Sequence, residues 1–232
     1  MRRNIKLINI KCCFKNKSNV GDKVIKKVSL EKAVEIYKER IEKDFPPEEI
    51  PPLSVFEKCI KEGIFECYTF DTEVDGNKYT DVGYLVTRKV NDVVFIMVLA
   101  IDDVARGKGL GKKMLNEFKS FSKENFNIII LEAENPEEKD VNDNEKEVRE
   151  KRIKFYTDLG FKVTPKLKYL LVKIDYKILY YCLNDESKIL SPEEVIAIME
   201  DVYKDVLRNR DWLEMEVENQ CELLVKFVDK NF

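Results

Sequence analysis

Three of the eight glycines in this 232-residue chain fall within five positions, at Gly107, Gly109 and Gly111. They follow a continuous apolar run, Val93–Ile101, and precede a helix-like pattern of apolar residues. Glycines at a strand-to-helix turn let the backbone approach a ligand closely, and the first N–H groups of the helix favour an anion. Positive charge is added by Arg106, Lys108, Lys112 and Lys113. The segment therefore predicts a site that binds phosphate groups.

Two common phosphate-binding loops can be compared with this segment. A Walker A loop needs glycine five positions before its Gly-Lys pair and Ser or Thr after it, but this chain has Arg106 and Lys113 there. A dinucleotide-binding loop needs Gly-x-Gly-x-x-Gly, and the segment is one residue short of that spacing. Glu132 and Glu134 do lie about where the ribose-binding acid of such a fold would be. A dinucleotide site, and a glycine-rich turn that binds nothing, stay open from these residues alone.

The chain has no histidine, which limits the acid–base chemistry available to it. Ser-His-Asp and Cys-His catalysis and the histidine-based zinc motifs are excluded. The six cysteines form no CxxC pair, so we expect free thiols and no metal site. Proton transfer must then use carboxyl, phenol, amine or thiol groups, or water. Glu132 and Glu134 are two positions apart on an expected strand, so their side chains should share a face; the alternative is a solvated strand end.

The apolar pattern and the turn residues predict the elements that position these groups. Ser29 and Ser54 are expected to cap two helices, and Asp75-Gly76 and Asn91-Asp92 to form tight turns between strands. The expected helices cover 29–44, 54–63, 109–124, 145–159, 192–208 and 211–229. The expected strands cover 4–10, 23–28, 64–70, 79–88, 93–101, 127–134, 166–173 and 176–183.

This order predicts an α+β fold with a mixed, largely antiparallel central sheet flanked by helices. The strand–helix–strand unit from Val93 onward requires one parallel pair, and the apolar strand Val93–Ile101 should lie centrally. A composition break near 184–188 divides the chain into a main domain, 1–183, and a helical extension, 184–232.

Composition excludes several classes of protein. Hydrophobic residues make up 44% and charged residues 37%, with a net charge of −3. These values are typical of a globular protein and give no general attraction to nucleic acid or membrane. No apolar run approaches the ~18 residues that a membrane span needs. The N-terminus is a poor signal peptide, so we expect a cytoplasmic protein.

The motif Arg106-Gly107-Lys108-Gly109-Leu110-Gly111 is similar to R/Q-x-x-G-x-G/A, the pyrophosphate loop of the GNAT superfamily of acyl-CoA-dependent N-acyltransferases. FYTDLGF, at 155–161, resembles the second signature of that family and places Tyr156 four residues before Gly160. ILEAEN, at 130–135, resembles the intervening strand. The resemblance covers roughly 28–183 and includes the order of the elements.

The resemblance implies transfer of an acetyl group from acetyl-CoA to a primary amine, by direct attack in a ternary complex. It makes Tyr156 the donor of a proton to the leaving thiolate. The residues it assigns to the coenzyme are Leu99, Ala100, Ile101, Arg106, Gly107, Lys108, Gly109, Leu110, Gly111 and Lys112. With no histidine in the chain, Glu132 or Glu134 would be the base. A non-catalytic acyl-CoA-binding or nucleotide-binding regulatory module is the alternative function.

One position departs from the family pattern. Many members have Asn seven residues before the tyrosine, where this chain has Arg149. Arg149 and Arg152 could reach a phosphate or pair with the acids of 145–150. We expect a small-molecule or peptide amine as the acceptor, no nucleic-acid or membrane partner, and leave a homodimer open.

Overall fold

The computed structural model describes residues 24–74, 76–139, 141–165, 167, 169–171 and 174–208. Its strands are β1 Ile25–Lys27, β2 Phe65–Val74, β3 Asn77–Val90, β4 Val93–Ile101, β5 Ile128–Glu134, β6 Lys162–Val163, β7 Tyr169–Leu171 and β8 Ile174–Cys182. They form an eight-stranded sheet in the order β1-β2-β3-β4-β5-β8-β6, with β7 also paired to β8. β4 and β5 are parallel and the other neighbours are antiparallel. This confirms the predicted mixed α+β fold and its central strand.

Six α-helices surround the sheet in the described part of the chain. They are α1 Leu30–Ile36, α2 Glu42–Asp44, α3 Leu53–Lys61, α4 Leu110–Ser122, α5 Asp143–Asp158 and α6 Pro192–Arg208. A π-helical segment, Tyr37–Ile41, joins α1 to α2, a feature that the sequence pattern does not predict. Ser29 caps α1 as expected, but α3 begins directly after Pro52, so the expected cap by Ser54 is wrong. The expected strand 4–10 and helix 211–229 lie outside the described residues.

The helices cover both faces of the sheet. α4 and α5 pack on one face, where Met114, Leu115 and Tyr156 meet Ile129 and Leu131 of β5. On the other face, α1 and α3 cover β2 to β4, and α6 covers β4, β5 and β8. We call these the α4/α5 face and the α6 face. Because side chains alternate along β5, Leu131 and Ala133 lie on the first face and Glu132 on the second.

None of the helices in these described ranges is long and apolar enough to cross a membrane.

Candidate active site

The central strands separate where the predicted site lies. Parallel pairing of β4 and β5 runs from Val93 opposite Ile128 only to Ile96 opposite Leu131. Met97 then forms a bulge in β4, because Thr87 of β3 lies opposite Ile96 while Val86 lies opposite Val98. A bulge bends and twists its strand. Residues 98–101 of β4 therefore remain paired with β3, and residues 132–134 of β5 remain paired with β8. The two strands separate between these segments, and we call the gap between 98–101 and 132–134 the wedge.

The wedge exposes backbone groups to which an extended ligand can bind. Leu99, Ala100 and Ile101 line its β4 side, and all three are only partly buried. Within the described residues, the edge of β4 that they form does not pair with β5. Peptide groups in a sheet are normally paired, so an unpaired edge favours a ligand with amide groups of its own.

The glycine loop follows at the end of β4. A turn of 3-10 helix, Asp103–Ala105, leads to Arg106, and α4 begins at Leu110. Gly107 and Gly109 have φ angles of 77° and 72°, which residues with side chains rarely adopt. The N–H groups of the first turn of α4 have no carbonyl partner earlier in the helix. This arrangement presents N–H groups and the positive end of the helix dipole at the mouth of the wedge.

Neighbouring side chains hold positive charge around the loop. The guanidinium of Arg106 pairs with Asp103 at 2.7 Å. Lys108 Nζ lies 3.3 Å from Tyr79 Oη, and Lys113 Nζ donates to the carbonyl of Glu73 at 3.1 Å. Lys112 is exposed, whereas the side chain of Leu110 is buried, so only the backbone of Leu110 can meet a ligand.

Gly83 of β3 packs beside the end of β4, and the sequence analysis did not select it. A Cβ at this position would lie 2.6 Å from Ile101 Cδ1 and 2.7 Å from Met114 Sδ. The absence of a side chain on β3 therefore lets α4 pack closely against the end of β4. The sequence did contain a signal for this position, because an isolated glycine inside a strand pattern often marks a place where another part of the molecule approaches the strand closely.

Tyr156 lies on the inner side of α5, on the α4/α5 face of the sheet. Its ring packs edge-on against Phe155 and Phe161, with centroids 5.1 and 5.8 Å away. Burial raises the phenol pKa above its usual value near 10, and the positive charge of Arg152 opposes this. The side chain is therefore a neutral phenol at physiological pH, which can donate a proton.

Glu134 is held by two arginines. Its Oε1 lies 3.2 Å from Arg149, and its Oε2 pairs with Arg152. Arg149 is buried and also pairs with Glu138 and Glu145, both at 2.6 Å. The expected pairing of Arg149 with the acids of 145–150 is confirmed for Glu145, while Arg152 pairs with Glu134 on the strand instead. Arg149 thereby ties the end of β5 to the start of α5.

Glu132 lies on the α6 face, where its Oε1 accepts a hydrogen bond of 2.9 Å from Tyr203 Oη. Tyr156 and Glu132 are thus on opposite faces of the sheet, on either side of the strands that separate. The wedge is the route by which groups bound on the two faces could meet. The arrangement is suited to a two-substrate reaction in which each face receives one substrate.

Asp102 also lies near the wedge, directly after β4. Its carboxylate pairs with Arg40 of the π-helical segment, whose guanidinium lies 4.4 Å from the centre of the Tyr84 ring. Burial raises the Asp102 pKa, the charge of Arg40 opposes this and that of Asp44 adds to it. We interpret Asp102 as part of the contact between the helical layer and β4.

Comparison with known proteins identifies the family. Residues 33–161, more than half of the chain, match the model of the Acetyltransferase (GNAT) family. The chain belongs to this family.

Individual relatives agree with the assignment. The chain is 26% identical over 194 residues to a Bacillus subtilis (strain 168) protein named "Putative acetyltransferase YjbC", covering 80% of this chain and 90% of that one. The fold is similar to that of a GNAT-family protein from Bacteroides thetaiotaomicron, with a TM-score of 0.60, 17% identity and coverage of 78% and 97%. It also resembles a mutant form of the spermidine N-acetyltransferase SpeG from Vibrio cholerae, with a TM-score of 0.50, 13% identity and coverage of 71% and 95%. At these identities the two structures establish the fold alone.

Proposed function

We propose that the protein is an N-acetyltransferase that moves the acetyl group of acetyl-CoA to a primary amine, by direct attack in a ternary complex. The observation that carries this proposal is the wedge between β4 and β5, which opens directly before the left-handed glycines of the loop. Together they fit a long ligand with an amide-containing arm and a pyrophosphate. We further propose that 1–183 form the catalytic domain and 184–232 a helical extension.

In the proposed donor complex, the pantetheine arm pairs with the open edge of β4 at Leu99, Ala100 and Ile101. The pyrophosphate lies on the backbone N–H groups of Gly107, Gly109 and Gly111, within the segment from Arg106 to Lys112. An N–H group of residues 99–101 stabilises the negative charge that develops on the thioester oxygen.

The chemical step then needs two proton transfers. The amine nitrogen attacks the thioester carbon, the carbon–sulfur bond breaks, and the electron pair leaves on sulfur. The nitrogen loses a proton to a carboxylate, directly or through water, and the thiolate receives one from Tyr156. The products are an N-acetyl amine and free CoA.

Of the two candidate carboxylates, Glu132 is our first choice for the base. Glu134 has both oxygens engaged by guanidinium groups, which would have to release it before it could accept a proton. Glu132 lies on the face opposite Tyr156 and next to the wedge, where an amine could reach it. A negative carboxylate also favours a cationic acceptor, since it attracts the ammonium form before deprotonation.

An acceptor screen tests this proposal. The purified full chain is incubated with acetyl-CoA and spermidine, cadaverine, lysine, kanamycin or a peptide with a free N-terminus. CoA release is followed with a thiol reagent, and the acetylated product is identified by mass spectrometry. We expect turnover with at least one amine, and calorimetry should show tighter binding of CoA than of NADH. Absence of turnover across the panel, or a preference for NADH, would contradict the proposal and favour the regulatory alternative.

Localisation and assembly are part of the same proposal. We expect a cytoplasmic enzyme and leave a homodimer open, to be decided by the mass of the protein in solution.

A further inference from the structure

The helix α6 lies beyond the segment that the family model matches, yet it is firmly attached to the sheet. Ser191 and Glu194 form reciprocal hydrogen bonds at its start, from Ser191 N to Glu194 Oε2 at 2.8 Å and from Glu194 N to Ser191 Oγ at 3.2 Å. Just before it, the Leu190 N–H donates to Tyr180 Oη on β8 at 3.0 Å. Val195, Met199 and Val202 are buried against β4, β5 and β8. The position of α6 is therefore set by packing along most of its length.

Tyr203 extends this contact to the proposed base. Its ring packs edge-on against Phe95 of β4, with centroids 6.2 Å apart, and its hydroxyl donates to Glu132 Oε1 at 2.9 Å. The ring is anchored on one of the two strands that separate, and the hydroxyl reaches the other. This places Tyr203 beside the wedge, on the face where we propose that the amine enters.

Other ionisable groups also surround Glu132 on this face. Tyr176 of β8 is partly buried, which raises its pKa, and the charges of Glu49, Glu132 and Glu134 raise it further while Arg149 opposes them. Glu49 belongs to the 3-10 turn Pro47–Glu49 that connects α2 to α3. Carboxylates from two separate elements therefore raise the pKa of the same phenol.

We propose that Tyr203 is a positioning residue for Glu132, and that α6 is consequently part of the acceptor side of the active site. The inference rests on the proposed function, in which Glu132 is the base. A carboxylate on a strand can rotate about its terminal bond, and a hydrogen bond from a ring that is itself packed restricts that rotation. The same bond stabilises the charged carboxylate, because a donor to an anion favours ionisation.

The test is the substitution Tyr203→Phe, which removes the hydroxyl and keeps the ring against Phe95. With the best amine of the acceptor panel, kcat/KM is measured against pH. We expect a loss of about three- to tenfold at neutral pH, and a shift of the acidic limb by about 0.5 to 1 pH unit upward. Tyr181→Phe is the matched control, since it deletes a tyrosine–glutamate hydrogen bond of 2.5 Å, to Glu186, on the other face of the sheet. An unmoved profile in Tyr203→Phe, or an equal shift in the control, would overturn the inference.

Two further measurements separate the inference from the proposed function. The first is a carbon-13 NMR titration of the glutamate carboxyls, in which Glu132→Gln identifies the Glu132 signal without any acceptor. Tyr203→Phe should raise the pKa of that carboxyl, and an unchanged titration contradicts the inference. The second is the double variant, in which Tyr203→Phe should add no further loss of kcat/KM to Glu132→Gln. A full additional loss overturns the positioning role alone, whereas a parental profile for Glu132→Gln overturns the proposed base and the inference with it.

Discussion

At the scale of single residues, the buried phenol of Tyr156 allows a sharp prediction. Tyr156→Phe deletes only the hydroxyl and keeps the ring packing with Phe155 and Phe161. We expect unchanged affinity for CoA by calorimetry and a turnover lower by about one to three orders of magnitude, typical of losing a general acid. Because burial raises the phenol pKa above 10, ionisation of Tyr156 should cause no loss of parental activity below about pH 10. Equal turnover of the two proteins at saturating substrate would assign Tyr156 to packing alone.

The base is tested by its pH dependence. Glu132→Gln should lower kcat/KM most at low pH, where the amine is protonated and needs a base, and least at high pH, where free amine is abundant. Glu134→Gln serves as the comparison, and it should have a smaller effect because Glu134 already pairs with Arg149 and Arg152. If both variants follow the parental profile, neither carboxylate is the base and the proton leaves through water.

At the scale of elements, a measurement of CoA affinity tests the role of the turn between β4 and α4. Gly109→Asp should remove most CoA binding, since it adds a negative side chain beside a pyrophosphate and strains a residue with a φ of 72°. Gly63→Asp is a matched control, because Gly63 has a φ of 71° and a Cβ added at either glycine would meet no atom within 4 Å. Gly63 lies just before β2. The first residue of β2 pairs with Arg88 of β3, which pairs with Phe95 near the start of β4. Gly63 is therefore at the end of β4 opposite to the loop.

Calorimetry on the two glycine variants gives the result directly. Loss of CoA affinity in Gly109→Asp alone supports the loop as the pyrophosphate site. A folded Gly109→Asp protein with parental affinity would contradict it, and equal losses in both variants would attribute the effect to backbone strain.

At the scale of the whole molecule, Glu66 connects three strands at one edge of the sheet. It accepts hydrogen bonds from Lys27 of β1 and from Tyr68 of β2, both at 2.5 Å, and pairs with Lys89 of β3 at 2.9 Å. Burial alone would raise its pKa, but these donors outweigh burial and hold the pKa below its usual value near 4.5. A carboxyl with a lowered pKa stabilises the folded protein above about pH 4.5, and this contribution is lost as the pH falls through its folded pKa.

Glu66→Gln should therefore reduce the free energy of unfolding by about 1 kcal/mol at pH 7, a modest value because both lysines are half exposed. The difference from the parent should be constant from pH 7 down to about pH 4.5 and should shrink as the pH is lowered further. Urea unfolding at each pH measures it, with the exposed Glu73→Gln on the same strand as the control. A difference that stays constant below about pH 4.5 would mean that the charge of Glu66 contributes nothing.

The sequence by itself determined the features that depend on neighbouring residues. The apolar run of β4, the positive φ angles at Gly107 and Gly109 and the helix that follows are encoded within the 30 consecutive positions from 93 to 122. Backbone preferences and apolar periodicity act over such short distances, so the order of residues alone is enough to recognise the glycine-rich loop and the family. The same locality placed Glu132 and Glu134 on one strand with a shared direction.

Only the tertiary structure decided which groups meet. The bulge at Met97 opens the wedge through the pairing of β4 with β3, and Gly83 matters because α4 packs against it. Tyr203 reaches Glu132 across 71 residues of sequence, while Arg149 selects Glu134, Glu138 and Glu145 from a chain with 44 acidic residues. A polar side chain can pair with any complementary group nearby, and nothing in its local sequence specifies which one. The topology of the sheet and the packing of its helices bring one partner into reach and keep the others away.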